Sequence, residues 1–552
     1  MQEVTLIYNK SNPYGISRDV EGIVAALGSY KVKYADPLEP PHQSQIAIHL
    51  EIPSYCWMAW SAVNILVVNP EWFQDAWIPY MSKFNYVIYK DPVSAADAVK
   101  AGHVRPDQVR VVPWGAASPS AAVKAKGTAD TGFVWFLGNS KNKRAYVPKL
   151  LSQWKESYPP LRIYTVEPLD LSGALLPNVR IEIQDLDATM RHGLAAFFRG
   201  HVCCSEAEGF GYTAAEAEWS GAFTLLNRLN CYVSDYEGQA GCAFAESLDA
   251  AIAAFEATDF DALAEKRRAQ AEVRYRSFLQ KMLDVLEETT IPTDWPTLPP
   301  ILQRDECPPI SIVTLMYNRR KFFDLGCHNI LASDYPKSKI EWIIVEDSDD
   351  PNEDASDLIT AVANQSDALK IVYVPLKKKT SVASKRNMGV RKATADIVLM
   401  MDDDDHYPET SFRRRVAWLT KHPWQPKAVS ATTIACYDLV KGISAVNVPP
   451  MDIPFSQRIS EATLTFYRAW WEERGFPAAV QIGEGEEFLA GREQDVLEVP
   501  PQQMIVAFSH GKNASSRRIP SGAEVKPGCF WGFPKEFLMF VHGLAGVKVV
   551  AE

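Results

Sequence analysis

At 552 residues, 47% of them hydrophobic and 23% charged, the chain is too long for one ordinary core and too apolar to be disordered or fibrous. About two to four folding units are expected. Lys+Arg 57 against Asp+Glu 68 leaves a net charge of -11, which argues against broad nucleic-acid binding.

Residues 1–8 read as a first strand, without the basic segment or cleavage site of a leader. No apolar run approaches the roughly 20 residues that span a bilayer. Nine cysteines, Cys203 and Cys204 adjacent, show no CxxC pairing and no disulfide-framework spacing, as buried thiols in a reducing compartment do. A cytoplasmic enzyme without a transmembrane segment is the expectation.

Strand-like runs at 4–8, 64–69, 86–89 and 109–113 alternate with helical patterns, the first near 17–27. A second series runs through 132–137, 162–166 and 179–183. Such alternation predicts parallel α/β sheets, here in two halves, about 1–120 and 121–290, facing each other across a cleft. Between them in importance stands the segment 205–221. Glu208 and Glu216 are separated by seven residues, with Gly209, Phe210 and Gly211 after the first and Gly221 ahead of a strand at 222–226. Glycines at a strand-to-helix junction let backbone N–H groups approach an anion, and Glu216 within the helix is placed to accept hydrogen bonds from ribose hydroxyls. An ordinary helix start with exposed acids is the competing interpretation.

A helical stretch from about 260 to 288 ends in a proline-rich linker, 291–308, where repeated prolines stop helix and sheet alike. Strands resume at 310–315 and 340–350, and a helix at 384–393 leads into the buried run 397–401. That run ends in Asp402, Asp403, Asp404 and Asp405. Four adjacent carboxylates repel one another unless solvent or a cation neutralises them, and the carboxyl end of a strand is where an open α/β sheet binds ligands. A solvated acidic turn is the alternative; an EF-hand is excluded, since its glycine and spaced ligands are missing. Farther on, 483–489 holds Glu486 and Glu487, and His510 stands in 508–513. Trp470, Trp471 and Arg474 offer a sugar-stacking platform or core packing.

The order of these motifs over about 308–510 closely resembles the nucleotide-sugar half of family 2 glycosyltransferases, which have the GT-A fold. The resemblance implies that Tyr317 meets the nucleotide base and Asp347 the uracil or ribose. Arg386 and Asn387 match an Arg-Asn pair on the helix before the metal motif. Asp402, Asp403 and Asp404 match the DxD motif, with Asp404 and Asp402 ligating Mn²⁺ or Mg²⁺ and His510 completing the site. The segment 483–489 resembles the Glu-Asp pair that supplies the base, which assigns that role to Glu487 first and Glu486 second. The sequence departs from the family at Leu315 and Met316, where Pro-Thr is usual.

The segment 205–221 looks like the donor-binding signature of family 4 glycosyltransferases, which have the GT-B fold. The resemblance extends to 111–115, to 136–138 with Lys143 or Arg144 on the donor diphosphate, and to Gly15 in a loop over the donor. Asn139 stands where that family commonly has Arg. The implied protein is α/β: a GT-B-like pair of Rossmann-type halves over 1–290, the linker, and a GT-A domain over 309–552. It would be a bifunctional glycosyltransferase using UDP- or GDP-sugar donors and a glycan acceptor. The alternative keeps catalysis in the GT-A domain and makes the N-terminal domain a glycan-binding or assembly module. A metal-dependent phosphohydrolase is a third class, lacking a nucleophile motif.

Overall fold

The computed structural model describes residues 2–12, 15–119, 130–171, 175–365, 368–480, 483–501, 503–510, 513, 528–529 and 531–547. The expected boundary between the N-terminal halves, near 120, lies outside the described residues. The chain forms two compact units. The first is Met1–Glu39, Ser44–Ser54 and Ser61–Pro292; the second is Pro40–Gln43, Tyr55–Trp60 and Thr293–Glu552.

The first unit holds two six-stranded sheets, both wholly parallel as the alternating pattern predicts. One runs Lys31–Ala35, Glu3–Ile7, Ser44–Leu50, Ser61–Val67, Tyr86–Tyr89, Val109–Val111. Of its central strands, Ser61–Val67 is buried end to end and Ser44–Leu50 at every position but Gln45, as strands covered by helices on both faces tend to be. The other runs Cys242–Phe244, Phe223–Leu226, Phe198–Val202, Asp130–Gly138, Leu161–Thr165, Val179–Ile183. This is the doubly wound Rossmann order, with its reversal between Asp130–Gly138 and Phe198–Val202, the place where sheets of this kind form a ligand crevice.

The helix Phe260–Glu287 ties the halves together. Asp259 caps it, accepting from the Asp261 and Ala262 N–H groups. Near its start Leu263 is buried in the core of the second sheet; toward its end Phe278, Met282, Val285 and Leu286 are buried in the core of the first.

In the second unit a seven-stranded sheet runs Lys370–Pro375, Ile340–Glu346, Ile310–Met316, Ile397–Met400, Thr465–Tyr467, Ala428–Ser430, Val496–Glu498. The first four strands are parallel, and Thr465–Tyr467 is antiparallel to both neighbours. A three-stranded sheet, Ile443–Asn447, Ile434–Asp438, Val506–Ser509, stands beside it. The two short N-terminal segments are part of this unit's core. Trp60 packs on Trp418 with ring centroids 5.8 Å apart, the Ala59 carbonyl accepts from His422 Nε2 at 3.0 Å, and Gln43 Nε2 donates to the Pro296 carbonyl at 3.0 Å.

Phe278 is fully buried where the long helix meets the first sheet's core. Phe278→Ala is expected to lower the unfolding free energy by about 3–5 kcal/mol, read as a fall in denaturant midpoint of the full chain.

Candidate active sites

Three parallel strands of the second unit deliver side chains to one edge: Ile310–Met316 leads to Tyr317, Ile340–Glu346 to Asp347, and Ile397–Met400 to the aspartates. Asp347 is buried. It accepts from Lys385 Nζ at 2.5 Å and from the Thr380 N–H at 2.7 Å, while Lys385 also donates to the Met316 carbonyl at 3.3 Å. Tyr317 donates its hydroxyl to Asp349 at 3.0 Å, and Lys379 lies 4.1 Å from its ring centre. Tyr317 and Asp347 thus stand at adjacent strand ends beside one buried lysine, Lys385.

One turn of chain carries the four aspartates in different directions. Asp402, Asp404 and Asp405 each offer an oxygen within 4.8 Å of the others. Asp403 turns to Arg319, whose Nη1 lies 2.7 Å from Asp403 Oδ1 and 2.7 Å from Asp404 Oδ2. Asp404 Oδ2 also meets His510 Nε2 at 3.0 Å and Asn513 Nδ2 at 3.2 Å. Asp405 Oδ1 accepts the Phe508 N–H at 3.0 Å. Burial raises the Asp403 pKa above the usual aspartate range; Arg319 opposes this, and Asp404 and Asp402 reinforce it. The trio supplies only hard oxygen donors, a set that suits Mg²⁺ or Mn²⁺. His510, expected as a ligand, sits against Asp404, and Asp405, outside the three residues matched to the motif, joins the trio.

Arg386 is buried on the helix Val382–Lys392 and donates from Nε to Glu484 at 3.1 Å. Asn387 clasps the neighbouring loop, its Nδ2 on the Phe476 carbonyl at 2.6 Å and its Oδ1 taking Trp471 Nε1 at 2.9 Å. Within the helix Glu484–Leu489, Glu484 is buried. Glu486 is half-buried and accepts from Gln457 at 2.8 Å, and Glu487 is exposed. Trp470 is buried with its Nε1 on Asp495 at 3.0 Å, and Arg474 donates to the carbonyls of Phe488 and Ala490, so both serve packing here. The residues 377–379 are exposed. Arg319 and Lys385 carried no sequence signal beyond the adjacency of Lys385 to Arg386, while Glu484 and Asn513 lie in the segments 483–489 and 508–513 without having been singled out there.

In the first unit Gly211, at φ 82°, opens the helix Tyr212–Ser220, a left-handed conformation that glycine adopts without penalty. A Cβ on Gly209 would lie 2.8 Å from Asn69 Oδ1, so the backbone there passes tightly under the first sheet's strand ends. Phe210 is buried, and Gly15 lies against the Tyr212 ring. Lys143 and Glu208 form an ion pair with 3.6 Å between their charged atoms. Glu216 is buried between Arg18 at 2.7 Å and Arg191 at 2.6 Å. Against burial, which raises it, these arginines hold the Glu216 carboxyl below the usual glutamate range.

Residues 311–436 match the family model of Glycosyl transferase family 2. No curated protein matches the chain. Among solved structures it is similar to the mannosyltransferase PcManGT from Pyrobaculum calidifontis in complex with GDP-Man and Mn²⁺, at 18% identity and TM-score 0.30, covering 39% of this chain and 61% of that one. It is similar to S. aureus TarS at 16% identity and TM-score 0.28, covering 37% of each chain. A shorter S. aureus TarS in complex with UDP-GlcNAc gives 16% identity and TM-score 0.27, covering 44% of this chain and 68% of that one. The chain thus spans less than two thirds of the first two. It carries a family 2 glycosyltransferase domain in its second unit.

Lys385→Met leaves Asp347 as a buried carboxylate without its cation. A loss of about 3–5 kcal/mol in unfolding free energy is expected, and adding Asp347→Asn recovers most of it in chemical denaturation.

Proposed function

We propose that the chain is a bifunctional glycosyltransferase whose second unit moves a sugar from a nucleoside diphosphate to a glycan acceptor with inversion. The observation that carries this reading is the convergence of Asp402, Asp404 and Asp405 at the end of a buried strand, inside the segment that matches family 2. Tyr317 and Asp347 would hold the nucleoside, and Arg386 the diphosphate oxygens. Asp402 and Asp404, with Asp405, would hold Mn²⁺ or Mg²⁺. When bound, the ion supplies positive charge for the leaving diphosphate. The rigid strand end fixes the carboxylates in advance, so little reorganisation is needed. The domain limits 1–290, 291–308 and 309–552 are proposed as the functional division.

In the first unit Lys143, Glu208, Gly209 and Gly211 would bind a second donor in the crevice, with Glu216 on its ribose and Gly15 over it. A second reading makes this unit a glycan-binding or assembly module. It is favoured by Glu216, whose two oxygens are already engaged by Arg18 and Arg191, so that a ribose would have to displace an ion pair.

Asp404→Ala is expected to abolish transfer by the second unit, and chelation to do the same until Mn²⁺ is restored; both are read as nucleoside diphosphate released from a panel of UDP- and GDP-sugars. Wild-type turnover in either case would sink the metal assignment. Glu216→Ala separates the two readings of the first unit. Loss of one of two glycan products by mass spectrometry supports bifunctionality, and an unchanged product set supports the module.

A further inference from the structure

An acceptor hydroxyl that attacks a sugar must shed its proton, and the carboxylates of 484–487 are poorly placed to take it. Glu487 is exposed, Glu486 is bonded to Gln457, and Glu484 is committed to Arg386. Another carboxylate lies within electrostatic reach of Arg386 and Asp402 from a different element. Glu461 begins the short turn Glu461–Thr463, which leads into the strand Thr465–Tyr467. That strand pairs with the one bearing the aspartates, Thr465 opposite Leu399. The Glu461 side chain lies directly over Gly485: a Cβ built there would stand 2.6 Å from Glu461 Cγ and 2.8 Å from its Cδ. Any other residue at 485 would evict it.

A second observation comes from the arginine beside it. Arg386 is only 5% exposed, and its Nη1 is buried with no hydrogen-bond partner among the described residues, in the shared field of Asp402, Glu484 and Glu461. A buried guanidinium donor left unpaired is costly unless a bound oxygen completes it.

We propose that Glu461 is the base of the second unit's transfer reaction, seated in the space that Gly485 leaves open. The inference rests on the transferase reading above. The acceptor O–H bond breaks and its proton passes to a Glu461 oxygen. The freed electron pair forms the bond to the sugar's C1, and the C1–O bond to phosphate breaks with its pair leaving on the nucleoside diphosphate. Burial raises the Glu461 pKa; Arg386 opposes this and Glu484 adds to it, which leaves a carboxyl able to hold the proton it receives.

The test uses the full chain as wild type, E461Q, E461D, E486Q and E487Q. Turnover is measured on the UDP- and GDP-sugar panel with Mn²⁺, and UDP and GDP affinity with Mn²⁺ is measured by calorimetry. E461Q is expected to lose about 100-fold or more in kcat while nucleotide affinity stays within about threefold, and E461D to recover part of the rate. E461Q turning over within about tenfold of wild type, or E487Q or E486Q losing the rate in its place, overturns the proposal. A wild type that binds neither nucleotide with Mn²⁺ fails at the transferase reading itself, a result the calorimetry identifies separately.

Discussion

Negative charge gathered at the end of one buried strand has to be balanced, and much of the second unit is arranged to do so. The strand Ile397–Met400 is fully buried, so the carboxylates that follow it emerge into a largely enclosed space. Arg319 answers two of them from the turn after Ile310–Met316. The three-stranded sheet answers Asp405 and, a second time, Asp404. Its strand Val506–Ser509 bridges to His406 just beyond the aspartates, which carries the Phe508 N–H to Asp405 and His510 to Asp404. Tyr407, donating to the Ala462 carbonyl and accepting the Asp402 N–H, fixes the same turn from below. Backbone pairing and charge balance here are one arrangement, so a change in either displaces the carboxylates.

The first unit solves a comparable problem differently. Its acids and bases neutralise one another: Glu216 pairs with Arg191 in its own half and with Arg18 of the other, and Asp19 pairs with Lys90 in its own half while it accepts from Tyr212 of the other. Charges so paired hold the halves in register. They also mean that an anionic ligand must exchange partners on entry, whereas the second unit already presents its acids to one point.

The parallel α/β character was legible because strands such as Ser61–Val67 and Ile340–Glu346 carry the apolar runs 65–67 and 342–345 between helical patterns. Phe198–Val202 was not legible, since Arg199, Gly200 and His201 read as polar. His201 is buried all the same, with its Nε2 paired to the Ala195 carbonyl at 2.9 Å. The strands Ala428–Ser430, Thr465–Tyr467 and Val496–Glu498 are three residues each, too short for any periodicity to register. In the site, the aspartate run announced itself by its charge density. Arg319 and Lys385 did not, because a lone basic residue in a turn or on a helix looks the same in sequence whether it faces water or a buried carboxylate. Register within the acids at 484–487 was equally hidden: one helical turn separates the buried Glu484 from the exposed Glu487, and only packing decides which is which.

The membership of segments 40–43 and 55–60 in the second unit bears on how the protein is made. Chains emerge from the ribosome N-terminus first, and a domain built from contiguous sequence can close as soon as its last strand appears. Here Trp60 leaves early and its partner Trp418 leaves late, so an indole side chain waits uncovered through the synthesis of the intervening chain. The second unit is therefore finished by a return to the beginning of the protein, and its folding is tied to survival of that waiting segment against aggregation. Cutting the chain at the proline-rich linker, natural as it looks in sequence, would take Trp60 away from the core it completes.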